Sequence, residues 1–207
     1  FDPAGNAVKT LYDQQNAYHA KLRTLLAMIA PDVPVNMINA GMSGDTAEGG
    51  LKRLARDVLT HQPDVCVVCF GLNDICQGEA HLPVYVEALR DIFHALVEHG
   101  VEPLFMTPNM MAVELSPHLD PRILETGVPQ RIQAAFAALG DRYMDAARDV
   151  CKACNVPVCD CYAKWKQLRA LGLDTDDLLS NYLNHPTRDM HWLFAWELFQ
   201  ALMFEAV

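Results

Sequence analysis

Serine is scarce in this chain. Its 207 residues hold three, Ser43, Ser116 and Ser180, so very few positions offer a serine nucleophile. Nowhere do 18 apolar residues run without interruption, which excludes a continuous membrane-spanning helix. Basic residues are short as well, 16 Lys and Arg against 26 Asp and Glu, for a net charge of −10. Binding to nucleic acid or to an anionic membrane surface needs clustered cations, so both are disfavoured as partners. There is no G-x-G-x-x-G and no Walker A run, which speaks against a nucleotide-binding protein. Repeats, low-complexity tracts and linkers are lacking too, so residues 1–207 read as one domain. The first residue is Phe1, and the opening Phe1-Asp2-Pro3-Ala4-Gly5-Asn6 has neither the basic nor the apolar region of a signal peptide.

Hydrophobic residues make up 51% of the chain, enough for a full core. The seven cysteines are odd in number and several lie in apolar runs, as expected in a reducing, cytoplasmic compartment. Cys151, Cys154, Cys159 and Cys161 have spacings that invite a zinc reading. The better reading is of buried free thiols at a helix end and in a strand. No metal or cofactor is expected.

Hydrophobic periodicity predicts alternating elements. A helix is expected from Val8 to Ile29, ended by Pro31 and Pro34, then a strand over Val35–Asn39. Asp45 or Thr46 caps a helix carrying Leu51, Leu54, Ala55 and Val58 on one face. Val65–Phe70 reads as a strand buried on both sides. Pro83 opens a helix that closes near Gly100. Pro103–Thr107 is a third strand, followed by helical sequence from Pro129 to Cys154 with a break at Gly140. Val156–Cys161 is a fourth strand, and a final apolar helix covers Met190–Ala206. This alternation implies an α/β fold, a parallel sheet with helices on both faces. In such folds the chemistry lies beyond the C-terminal ends of the strands.

Three segments fall there. Gly71-Leu72-Asn73-Asp74 presents an amide whose N–H can meet a developing oxyanion; the plainer reading is a capping turn. Asn39 to Thr46 places Gly41 and Gly44 at a strand-to-helix junction, where backbone N–H groups favour negative charge. His185, in a polar loop before the last helix, is placed to act as a general base. His191 reads as a structural residue in the first turn of that helix.

Together the three segments resemble the SGNH hydrolase (GDSL-like lipase/esterase) family over almost the whole chain. Asn39-Ala40-Gly41, Ser43-Gly44-Asp45-Thr46, Arg53 and Asp57-Val58 resemble the family's second block, Phe70-Gly71-Leu72-Asn73-Asp74 its third, and His185-Pro186 with His191 its fifth. The resemblance implies a three-layer, flavodoxin-like fold with a central parallel sheet. It also implies an ester hydrolase acting by serine acyl transfer on a small acyl ester, such as a carbohydrate O-acetyl group. Gly41 and Asn73 would supply the oxyanion donors and His185 the base, all three lining one pocket. The family's Gly-Asp-Ser block is absent, so the first strand and the nucleophile are expected before Phe1. Tyr182 stands where the family has Asp, leaving Asn181, Asn184 or a backbone carbonyl to orient His185. The alternative is a non-catalytic carbohydrate- or acyl-binding protein on the same scaffold.

Overall fold

A computed structural model describes residues 13–204. Helix α1 (Tyr18–Ile29) is followed by irregular chain, then α2 (Ala47–Asp57), β1 (Val65–Val68) and the short α3 (Leu72–Ile75). Next come α4 (Leu82–Glu98), β2 (Glu102–Met106), the short α5 (Pro121–Leu124) and the long α6 (Val128–Cys154). The chain closes with β3 (Val158–Cys159), α7 (Cys161–Ala170) and α8 (His191–Phe204). Among the described residues the strands form one parallel sheet in the order β1-β2-β3. Val65 pairs with Glu102, Val68 with Phe105, and Met106 with Cys159. Helix α4 packs on β2 and gathers α2 and α6 about it, while α8 packs on β3 beside α1 and α7. Between them lie Phe93, Leu96, Phe105, Met106, Trp165, Phe194 and Leu198, all nearly inaccessible to solvent. The small parallel sheet flanked by helices is the α/β architecture that the alternation predicts.

Several expectations need correction. Val35–Asn39 forms no strand among the described residues. A strand exists only where a neighbour supplies ladder hydrogen bonds, and here Ile38 is largely exposed instead. The first helix begins at Tyr18; Val8 lies outside the described residues, and Gln14 to Asn16 make a turn and Ala17 a bend. Helix α6 passes through Gly140 without a break. One glycine costs a helix only about 1 kcal/mol, and a Cβ at Gly140 would stand 2.9 Å from the Phe136 ring. The fourth predicted strand shrinks to Val158–Cys159, because Asp160 starts α7 by accepting the Ala163 N–H at 3.0 Å. Helix α7 was not expected at all.

Candidate active site

The site begins at the end of β1. After Val68 the chain turns at Gly71, whose φ of +135° is denied to most side chains. A Cβ there would also lie 2.6 Å from the Met144 methyl group and 3.2 Å from the Tyr85 hydroxyl. The turn delivers Leu72, Asn73 and Asp74 into α3. Asp74 is fully buried. Its Oδ2 accepts the Gly71 N–H at 3.1 Å and its Oδ1 accepts the Ala47 N–H at 3.0 Å. Burial pushes its pKa up, opposed by the Ala47 N–H and by nearby His81. One carboxylate therefore ties the end of β1 to the first turn of α2.

Asn73 makes a second tie. Its Nδ2 donates to the Asp45 carbonyl at 2.8 Å, which leaves the other N–H of the same amide to donate elsewhere. The loop that Asp45 belongs to is held from its other side by Arg53. That guanidinium donates to Asp45 Oδ2 and to the Ala40 carbonyl, each at 2.6 Å, and to Asp57 Oδ2 at 3.3 Å. Thr46, not Asp45, caps α2, accepting the Gly49 N–H at 3.3 Å. Gly41 lies in this loop and is exposed. Its N–H donates to Asn39 Oδ1 at 2.9 Å, so the donor is engaged within its own loop.

His185 reaches the same end of the sheet by separate anchors. Beyond β2, the buried Asn109 donates to the Asn184 carbonyl at 3.0 Å, and the Ala112 N–H donates to the Leu183 carbonyl at 2.7 Å. Asn181 Oδ1 accepts the N–H groups of Leu183, Asn184 and His185 at 3.0–3.1 Å. Asn181 thus fixes the backbone at His185, while its amide nitrogen donates to Asn184 Oδ1 at 2.8 Å. Neither asparagine hydrogen-bonds the imidazole. Tyr182 has a φ of 54° and lays its ring against His118, centroids 5.3 Å apart. His185 is exposed, yet desolvation by the groups packed around it holds its pKa below the usual 6.5. The neutral ring that a base requires is therefore favoured.

His191 serves structure. Its Nδ1 accepts the Tyr18 N–H at 3.2 Å and its ring stacks on Tyr18, pinning the start of α8 to that of α1. None of the three serines hydrogen-bonds a histidine ring. Ser43 is exposed, Ser116 Oγ accepts the His118 N–H, and Ser180 Oγ donates to the His185 carbonyl. Among the described residues no group of three or more His, Cys, Asp or Glu is placed to hold a metal ion.

The structure thus joins Gly41 and Asn73 through the Asp45–Arg53 network and brings His185 to the same edge of the sheet, next to β2. Two surface depressions lie elsewhere, one lined by Phe93, His94 and Cys154, the other by Glu114, Arg169 and Asp176. In the sequence Asp74 is legible only as part of the Gly71–Asp74 turn, with no role of its own, and nothing singles out Asn109. For Asp74 the signal was present in Gly-Leu-Asn-Asp; for Asn109 there was none.

The sequence profile of the GDSL-like Lipase/Acylhydrolase family matches residues 4–193. The chain is 28% identical over 144 residues to the uncharacterized lipoprotein YqeF of Bacillus subtilis (strain 168), covering 64% of this chain. It spans little more than half of that relative, 56% of its length. Among solved structures, the acetyl xylan esterase AlAXEase superposes with a TM-score of 0.70 at 16% identity, over 95% of this chain and 93% of that one. Axe2, an acetylxylan esterase from Geobacillus stearothermophilus, gives 0.71 at 20% identity, over 96% and 85%. At such identities the superpositions speak for the fold.

Proposed function

The chain belongs to the GDSL-like lipase/acylhydrolase family, and from that premise we propose that it is a carboxylic ester hydrolase working by serine acyl transfer on a small acyl ester. The observation that carries the reading is the stitched edge at β1, where Asn73 and Asp74 bind the Asp45 loop to the strand end. A capping turn alone would not need a buried carboxylate shared between two elements. Such preorganised donors are what acyl transfer requires, since they meet the oxyanion without rearranging.

The roles are as follows. His185, held neutral by its surroundings, takes the nucleophile's proton and returns it to the leaving alcohol. The free N–H of Asn73 donates to the oxyanion. The Gly41 N–H joins it once released from Asn39. None of Ser43, Ser116 and Ser180 hydrogen-bonds a histidine ring, and none of them is assigned the nucleophile's role. Substrate choice is part of the proposal: AlAXEase and Axe2 are acetyl xylan esterases, and an acetyl group on a sugar is the small acyl ester we favour. No metal or organic cofactor enters this scheme, and the protein acts in the cytoplasm.

The test is hydrolysis of p-nitrophenyl acetate and acetylated xylooligosaccharides by the full-length protein and its His185→Ala variant. Loss of about 10³-fold or more in kcat is expected on removing the base. Hydrolysis that survives His185→Ala overturns the assignment. Robust activity of the 207-residue chain, abolished by Ser43→Ala, would place the nucleophile within it.

A further inference from the structure

One cysteine is set apart by its surroundings. Cys154 closes α6, where its Sγ lies 4.0 Å from Nε2 of His94 on α4. Sulfur and imidazole face a depression of about 170 Å³ whose other lining residues are Phe93, Val97 and Glu98. Cys154 is half-buried and His94 exposed. The other thiols are worse placed. Cys151, Cys159 and Cys161 are buried. Burial pushes Cys66 and Cys69 up to about 11 and 12. Cys76 is exposed, but burial of its sulfur and the charge of Asp74 both disfavour its thiolate.

We propose that Cys154 and His94 form a thiol-exchange site that takes small, cationic disulfides, independently of any ester hydrolysis. The size of the depression sets the ligand. It falls below the roughly 300–1,000 Å³ of drug-sized sites, so it admits a short aliphatic group. Glu98 at its wall favours a cation over an anion. In the reaction His94 accepts the Cys154 proton and the thiolate attacks one sulfur of the disulfide. The new bond joins Cys154 Sγ to that sulfur, the original S–S bond breaks, and the departing thiolate recovers the proton from His94. One sulfur of the original disulfide leaves as a free thiol and the other stays in the mixed disulfide with Cys154, so the number of S–S bonds is unchanged.

The experiment treats the native chain with cystamine, or with the anionic dithiodiglycolate, and follows intact mass and the modified peptide. A single cysteamine adduct on Cys154 is expected, formed ahead of any on Cys76. His94→Asn and His94→Gln should slow it about tenfold, as for loss of a proton acceptor. Glu98→Gln should narrow the preference for cystamine by about two- to fivefold, the effect of one exposed charge. First modification at Cys76, equal rates for the two disulfides, or unchanged rates in both His94 variants would each overturn the proposal. The comparison of disulfides on the unaltered chain decides even if a variant fails to fold.

Discussion

Asn73 donates an N–H to the backbone carbonyl of Asp45 at 2.8 Å, which makes one side chain both a structural tie and a candidate oxyanion donor. The two roles are separable because the amide carries two hydrogens. Asn73→Ala removes both. In the full-length enzyme kcat should fall by about 10² to 10³ with KM changed much less, since the donor acts mainly in the transition state. Stability should fall by about 1 kcal/mol for the lost Asp45 bond. Kinetics on active-site-titrated protein, beside a urea melt, would separate the two. A folded variant with near-normal kcat removes Asn73 from the mechanism.

Gly71 should accept no side chain. Gly71→Ala meets a φ of +135° and the Met144 methyl group at 2.6 Å, two costs that act together. We expect about 2–4 kcal/mol of destabilisation, read from the urea midpoint. A loss under 1 kcal/mol would mean that the β1–α3 turn relaxes readily.

The buried carboxylate of Asp74 holds two backbone N–H groups. Asp74→Ala strands both, at about 1–3 kcal/mol each, partly offset because a buried acid no longer has to be desolvated. A net loss of about 2–4 kcal/mol is expected. Protection of the Ala47 and Gly71 amides against hydrogen exchange should drop as well. Unchanged protection would show that other groups fix this junction.

Arg53 clamps the Asp45 loop from a largely buried position, its side chain 13% exposed. Arg53→Ala breaks the bonds to Asp45 and Ala40, each charge-assisted, for about 2–3 kcal/mol in total. Activity of the full-length protein should fall further than stability explains, because Gly41 rides on that loop. Wild-type kcat in the folded fraction would detach the loop from catalysis.

Burial lowers the pKa of His19, His185 and His191. Between the ordinary value of 6.5 and their lower folded values, the unfolded chain binds protons that the folded chain does not. Their contribution to stability is therefore present above 6.5 and is lost as pH falls through that window. The urea midpoint of the wild type should drop more between pH 7.5 and 5.5 than that of His185→Asn. By the same shift, the acid limb of kcat/KM should have its midpoint below 6.5. An acid limb above that value would contradict a base held neutral by burial.

The sequence by itself determined the α/β class, three of the predicted strands and the placement of Asn73 just beyond the end of one of them. Those features are local. Apolar runs such as Val65–Val68 and helical stripes such as Leu51 and Leu54 announce themselves through period and composition. Tertiary structure decided the rest, because the deciding partners are remote. Whether Val35–Asn39 is a strand depends on a neighbour to pair with. Gly140 stays helical because the helix cost of one glycine is small and Phe136 fills the space beside it. That Asp74 reaches back 27 residues to Ala47, and Asn109 forward 75 to Asn184, follows only once the sheet has brought those loops together. A hydrogen bond between distant residues leaves no period in the sequence to read.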